Sequence, residues 1–539
     1  MQSSLNIELA ASDWMLLAAL GIGLYWAVLN RVRRSEILKR HNITTWGPVI
    51  LVRFTGGLSL LDKLSRPKRF WRVCATAGVP LVIAGMFYFL VLLILLNYAM
   101  IRSPPEPSSY TAPRNVLLIP GINQFIPFVW GWIALFITLV VHEVSHGVLS
   151  RVEGIRVKSM GLVFAPIPIA AFVEPDEEEL FGGEKKEAKA KRDARIRILA
   201  AGVIANFVVA ALAMAIFFGP VIGAITPLDR VVVVDVQPGS AGDLAGFEEQ
   251  MILEEVNGIA AFNLDILYTA LQKTPSSNKV LKDGESLDLT LEGTPARGVL
   301  VASIFEGHPA EKSGMREGLI ITEMNGVSIS DLEKFREFMN STTGGEELTV
   351  ITNLGTYTLQ TVSRPDGGGF MGVGISGNAV YIGGVTFQQF PATSFIAVLK
   401  DIPHSGFQGF FTLLGLPFTG VPGFTEGGFP GFSGWISGFF EPGGWAVPLG
   451  GKIFWIANFL LWVGWINLYA GLFNCLPAVP LDGGHIFRDL LLTGFERLFQ
   501  NKENAERMAR TIVSFMAWLI LSSILFTMVA PYMAHGFTS

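Results

Sequence analysis

Phe125-Ile-Pro-Phe-Val-Trp-Gly-Trp-Ile-Ala-Leu-Phe-Ile-Thr-Leu-Val-Val-His142-Glu143-Val144-Ser145-His146 decides how the rest of the chain is read. An apolar run of bilayer length ends in two histidines four residues apart, with a carboxylate between them. Positions i and i+4 share one face of a helix, so His142 and His146 can hold one zinc ion, and Glu143 then stands beside the metal as a general base. The same five residues also occur on solvated helices, where they only decorate a polar face. Within hydrocarbon that reading is costly. Insertion scales penalise a charged side chain by roughly 2.5–3.5 kcal/mol, so three polar groups together imply a partner such as a metal.

The chain has 539 residues, is 50% hydrophobic and carries a net charge of −5, a balance that says little about partners and gives no sign of nucleic acid. Read with a window of about 19 residues, it offers candidate spans at Trp14–Leu29, Cys74–Met100, Ile126–Leu149, Ile198–Ile225, Ile453–Phe473 and Thr511–Met533. The first lacks a basic leader and is followed by basic residues, unlike a cleaved signal peptide. Basic residues flank the spans unevenly. Arg31, Arg33, Arg34, Lys39, Arg40, Lys63, Arg66, Lys68, Arg69 and Arg72 lie between spans one and two. Ten more run from Arg151 to Arg197, and Arg488, Arg497, Lys502, Arg507 and Arg510 sit between spans five and six. Every basic loop falls on the cytoplasmic side only with six spans and both termini outside. Phe395–Phe418 is apolar but holds Lys400, Asp401, Pro403 and His404, so it reads as a helix in the outer interface. The Gly/Phe-rich Gly420–Gly451 reads as a loop whose aromatics are either interfacial anchors or substrate contacts. The 2 cysteines, Cys74 and Cys475, lie in or beside spans and support neither a disulfide framework nor a cysteine zinc site.

A catalytic zinc takes three protein ligands and keeps one position open. At 1.5 Å per residue, His142 lies roughly 20 Å along its helix from Phe128, which sets the metal in the cytoplasmic part of the membrane. Span five runs in the same direction, and directly after it comes Asn474-Cys-Leu-Pro477-Ala-Val-Pro-Leu481-Asp482-Gly483-Gly484-His485. Asp482 arrives at the right depth. His41 falls in a cytoplasmic loop, and His308, His404 and His535 are expected outside. His485 competes with Asp482, with a hydrogen bond beyond the ligand shell or a helix cap as its other roles.

These residues resemble those of the site-2 proteases, intramembrane zinc metalloproteases, through His-Glu-Val-Ser-His in one span and Asn474-x-x-Pro477-x-x-x-Leu481-Asp482-Gly483 after a later one. The resemblance implies one zinc per chain, held by His142, His146 and Asp482, with Glu143 as base and Asn474 near the site, where its amide can pair with substrate backbone. Gly202-Val-Ile-Ala-Asn206 resembles the Gly-x-x-x-Asn element of the same core, with helix packing by a small residue and a buried amide as the alternative. Lys158–Pro175 looks like the family's membrane-associated β-hairpin. The resemblance covers spans three to six.

Between spans four and five, Val236-QPGSAGDLAGFEEQMILEEV-Asn257-Gly258 aligns without gaps to Ile304-FEGHPAEKSGMREGLIITEM-Asn325-Gly326. Such a repeat means two copies of one module. Each opens with a β-rich run, Val231–Val236 or Val299–Ile304, followed by a turn, a short helix, a strand and an Asn-Gly turn. Second helices are expected at Leu264–Leu271 and Leu332–Met339. The pattern resembles tandem PDZ domains in the permuted arrangement. PDZ domains take extended or C-terminal peptides as an added strand, with the carboxylate captured in a loop before it. Gly298, Val299 and Leu300, with Arg297, are the candidate loop of the second copy; Pro227-Leu228-Asp229-Arg230 in the first carries an acid that would repel a carboxylate. Two outer modules also suit a steric filter against bulky ectodomains.

The expected architecture is a polytopic α-helical membrane protein with about six transmembrane helices and two α/β PDZ-like domains inserted between spans four and five. Its parts are a two-span region (1–120), a first catalytic membrane part (121–226), PDZ-like domains at 227–296 and 297–380, an interfacial helix with the Gly/Phe-rich loop (381–452), and a second catalytic part (453–539). The expected partners are the lipid bilayer and a membrane-anchored protein substrate, cleaved in or near its transmembrane segment. A silent PDZ scaffold and a zinc transporter or sensor are the readings from other classes; a transporter calls for polar ligands strung along several spans, and few are present beyond Asn206 and Asn467. The charged stretch Glu174–Arg197 reads as a solvated linker or a gate.

Overall fold

The computed structural model describes all residues except 1–10, 37–39, 41, 55–56, 109, 116–117, 166–167, 184–186, 283, 366, 422–423, 425–427, 430, 499–501 and 537–539, and at 11–19 and 168–169 the backbone alone. His41, Lys39, Lys185 and Lys186 therefore lie outside the described residues. The chain divides into two compact units, Met1–Ala215 with Phe459–Ser539, and Ile216–Asn458.

In the first unit, Ala11–Arg34 forms α1, Lys68–Arg102 α2, Phe128–Glu153 α3, Glu177–Phe181 α4, Arg192–Ile216 α5, Lys452–Asn474 α6, Asp482–Leu498 α7 and Lys502–His535 α8, with α6 entering from the second unit. Among the described residues, 5 helices are long and apolar enough to cross a membrane: α2, α3, α5 continued to Val221, α6 and α8. They contain the expected spans two, five and six, all but Ile126 and Pro127 of span three, and most of span four. The expected first span lies within α1, much of whose side-chain detail is outside the described set. Span four ends earlier than its hydropathy suggests. Pro220 lacks the N–H an α-helix needs there, so Phe217–Val221 widens into a π-turn, and Ile225–Pro227 is already a strand.

Small residues set the helix spacing. A Cβ at Gly464 would meet Met214 at 2.8 Å, and one at Gly471 would meet Phe207 at 2.7 Å, so α6 lies close on α5. Trp462 and Trp465 fill the remaining space, fully buried and edge to face at 5.8 Å.

The expected hairpin is present as β3 (Val157–Phe164) and β4 (Pro168–Pro175). It belongs to a larger sheet. Ile43–Trp46 (β1) and Val49–Arg53 (β2), which read as plain loop between spans one and two, extend it in the order β1-β2-β3-β4. The β2 residues Val-Ile-Leu-Val have strand propensity, but a run so short shows its partner only in three dimensions. In this sheet β1 and β4 are the edge strands, and β4 packs on α3.

The second unit holds both repeat copies in one 12-stranded sheet. Both Asn-Gly turns form as expected, with Asn257 at φ 52 and Asn325 at φ 45, each followed by a glycine at positive φ. Helices Leu264–Ala270 and Leu332–Ser341 follow them. The boundary between the copies is not where the sequence suggests. Val385–Gln389 pairs with Val231–Val236 of the first copy, and Val380, Ile382, Val385 and Phe387 fill that copy's core. The first copy is thus discontinuous, closed by residues that follow the second. Its division at 296, and the assignment of 381–389 to a separate segment, are corrected by this pairing.

The other expectations for this unit change as well. Phe395–Phe418 forms two helices, Ala392–Asp401 and Gly406–Thr419, broken by a 3-10 turn at Pro403. Phe429, Phe432, Phe439 and Phe440 of the Gly/Phe-rich stretch are buried, and with Phe390 and Phe395 they form a ring cluster. Most of those aromatics are core, rather than anchors or substrate contacts.

Candidate metal centre

Helix α3 carries His142, Glu143 and His146 on its last three turns and stops at Gly154, whose φ of 80 lets the carbonyls of Ser150 and Arg151 be capped. The end of α3 is tied down. Glu153 accepts from Arg72 of α2 at 3.2 Å and from Arg197 of α5 at 2.9 Å. The third group comes from a distant part of the chain. After α6 the backbone turns tightly through Cys475–Leu481, and a Cβ at Gly483 or Gly484 would strike Cys475 O at 2.3 Å or Ala478 C at 2.4 Å. Only glycine permits α7 to begin there, with Asp482 as its first residue.

The three side chains converge. Asp482 Oδ2 lies 3.1 Å from His142 Nε2 and 3.3 Å from His146 Nε2, and the two nitrogens are 3.1 Å apart. Zinc bonds of about 2.0–2.1 Å in tetrahedral geometry place ligand atoms about 3.3 Å from one another, close to this spacing. Asp482 Oδ2 is buried and makes no hydrogen bond despite these neighbours. A carboxylate oxygen facing two ring nitrogens without hydrogen-bond geometry fits a cation shared by all three. Among the described residues, His142, His146 and Asp482 are the group able to hold one.

The outer nitrogens of both rings are also engaged. His146 Nδ1 faces the carbonyl of Ile198 at 2.7 Å, which holds the proton on Nδ1 and leaves Nε2 free for metal. His142 Nδ1 is 3.2 Å from the Asn206 amide, whose Oδ1 is buried without a partner. Turned over, that amide accepts from Nδ1–H and leaves the second Nε2 free as well. Gly202 completes the contact surface, since a Cβ there would meet His146 Nε2 at 2.5 Å and His142 Cε1 at 2.7 Å. The Gly-x-x-x-Asn element therefore touches both histidines directly.

Glu143 Oε2 accepts from the backbone N–H of Val173 on β4 at 2.9 Å, so the carboxylate beside the metal set also touches the hairpin's edge. These groups line a cavity of about 480 Å³ together with Asn474, Leu481, Phe181 and His485. Asn474 stands at its wall, with its Nδ2 on Ala470 O at 3.0 Å. His485 stays outside the metal set and packs against Phe181 with ring centroids 5.4 Å apart.

The stretch expected as a linker or gate is built into this wall. Asp176 caps α4 through Glu179 N–H, and Leu180 is buried. Glu179 accepts from Arg156 N–H at 2.9 Å and from Lys189 at 3.2 Å, and these bonds hold its carboxyl below the ordinary range. By contrast, Gly298, Val299 and Leu300 do not form a loop. They lie inside strand Ala296–Ile304, with Val299 and Leu300 paired to Ile321 and Ile320 on one side and to Asn378 and Gly377 on the other, so no edge is open there for a peptide.

The structure brings together His142, Glu143, His146 and Asp482, named from the motif and from depth, and Asn206 and Asn474, named from the family resemblance. The sequence pattern missed the Ile198 carbonyl and the Val173 N–H. Both are backbone groups, for which a side-chain pattern carries no signal.

Two histidines and an aspartate around one point, with Glu143 lining the same cavity, form a candidate metal centre of the kind that metallohydrolases use. Residues 130–522 match the model of peptidase family M50, and the chain belongs to that family. It is 31% identical over 190 residues to an uncharacterized protein of Methanocaldococcus jannaschii, covering 34% of this chain and 46% of that one. A Neisseria meningitidis protein named as a candidate zinc metalloprotease is 23% identical over 66% of this chain and 88% of its own length. The regulator of sigma-E protease of Salmonella typhimurium is 24% identical over 68% of this chain and 89% of its own length. This chain thus spans under half of the archaeal relative and most of the other two.

Proposed function

We propose that this protein is an intramembrane zinc metalloprotease that hydrolyses peptide bonds in or near the transmembrane segments of membrane-anchored proteins. The convergence of His142, His146 and Asp482 within 3.3 Å of one another, at the end of an apolar helix, carries the reading. Zinc, when bound, supplies a Lewis acid for the scissile carbonyl and lowers the pKa of an attacking water toward about 7. Glu143 takes that water's proton and delivers it to the leaving amine. Asn206 and the Ile198 carbonyl fix the histidine rings, and Gly202 leaves room for them.

The substrate has to be extended at the cut, because a helix buries each carbonyl in its own hydrogen bonds. The outer edge of β4, which no other described strand pairs, offers pairing for such a segment once Val173 N–H is released from Glu143. Asn474, at the cavity wall, is positioned to pair with its backbone. In this reading the chain is a multi-pass cell-membrane protein with six spans, α1 being the first. Both termini and the repeat region face outward, and the basic loops and the zinc site lie toward the cytoplasm. The repeat copies act as permuted PDZ modules that bind extended or C-terminal peptides or screen substrates by size.

The direct test uses purified protein with a single-span substrate reconstituted in lipid. Wild type is expected to cut it, and Glu143→Gln is expected to lower the rate by at least a thousandfold; wild-type rates in the variant would contradict the role of Glu143.

A further inference from the structure

Helix α5 supports both histidines of the candidate metal set along one face. Residues 195, 198, 202 and 206 follow steps of three and four, so they form a single stripe on the helix. Three of the four meet the histidines: the Ile198 carbonyl takes His146 Nδ1, Gly202 lies under both rings, and Asn206 faces His142 Nδ1. The fourth, Arg195, reaches the other half of the site. Its Nε and Nη2 bind the two oxygens of Asp489 on α7 at 2.6 and 2.8 Å. Both partners are buried, Asp489 fully and Arg195 to 8% exposure.

Asp489 stands two helical turns after Asp482 on the same helix. A buried bidentate pair fixes both distance and angle, which a lone apolar contact does not. Two features add to this anchor. Arg192 binds Glu496 of α7 at 2.8 and 3.0 Å nearer the surface, and Leu199 and Val203 of α5 pack with Ile486. Apolar packing brings the helices together, and the buried ion pair sets where along α5 the start of α7 rests. Buried ion pairs seldom add net stability over an apolar pair of the same shape, so a role in geometry is the better account of one retained here.

We infer that Arg195 and Asp489 are positioning residues for the metal site: their ion pair fixes α7 on α5 and thereby holds the Asp482 carboxylate at the histidines. Neither residue touches the metal set itself. The inference rests on the metalloprotease reading only for the identity of the ion, and its test does not need proteolysis.

The experiment measures zinc affinity of the purified full-length protein by competition with a chromogenic chelator, alongside thermal unfolding of the zinc-free protein. Asp489→Asn is expected to weaken zinc binding about tenfold, the lower end of the losses seen when groups supporting metal ligands are removed. The double variant Arg195→Met with Asp489→Leu removes both charges of the bidentate pair together; Arg488, whose Nη2 lies 3.9 Å from Asp489 Oδ1, is part-exposed and keeps its access to solvent. It is expected to unfold near the wild-type temperature and still bind zinc at least tenfold more weakly. Arg195→Lys keeps the charge, gives up the bidentate fork, and is expected to fall between wild type and Asp489→Asn. Wild-type zinc affinity in the double variant and in Arg195→Lys would overturn the inference and leave the pair a purely structural contact. Loss of cleavage with unchanged zinc affinity would likewise overturn it, whereas weaker zinc binding in a protein that cuts no membrane substrate would support it and count against the protease reading alone.

Discussion

Gly202 shows how much a single atom matters at this centre. The helix brings its backbone to within 2.5 Å, measured from the Cβ position, of the ring that must bind metal. A methyl group there cannot be absorbed by a flexible neighbour, because the neighbours are His142 and His146, already held by Ile198 O and Asn206. Gly202→Ala is therefore expected to cut zinc affinity by more than tenfold and cleavage with it, although alanine favours helix by about 1 kcal/mol over glycine. Zinc titration of the variant checks this, and wild-type affinity would show that the rings can move aside. At this scale the sequence was highly legible. His142, Glu143 and His146 are local, and Asp482 could be placed by depth. The supporting backbone groups were not legible, because a carbonyl or an N–H is present at nearly every position and only the fold selects one.

Helices were read from sequence better than strands. The spans appear as long apolar runs, and each candidate from the second onward falls largely within a helix of the structure. Strands β1 and β2 escaped notice because 4 and 5 residues show no period. The repeat was recognised from 23 aligned positions, and its turns formed as expected. The closing strand was not, since Val385–Gln389 lies outside the aligned segment and pairs with Val231–Val236, about 150 residues earlier. The peptide loop placed at Gly298–Leu300 failed for the same reason: a Gly-Val-Leu run looks alike in a loop and in a strand paired on both sides. Residues 227–296 expressed alone lack Val380, Ile382, Val385 and Phe387 of their core, so this fragment is expected to remain unfolded. A fragment of residues 227–389 is expected to give a cooperative thermal transition by circular dichroism. Cooperative folding of the shorter piece would contradict the nested arrangement.

For the molecule as a whole, the candidate metal centre joins parts of the chain 336 positions apart, His146 and Asp482. The first unit assembles it from helices α3, α5 and α7, with β4 at its side, while the second unit is carried between α5 and α6. Family membership rests on residues 130–522, which include every side chain of the proposed centre. The most direct measurement is zinc content per chain, taken together with cleavage of a single-span substrate, for wild type, Glu143→Gln and Asp482→Asn. The account predicts about one zinc and cleavage for wild type, about one zinc without cleavage for Glu143→Gln, and loss of both for Asp482→Asn. Zinc-free wild type that still cuts, or Asp482→Asn that keeps both its metal and its activity, would contradict it.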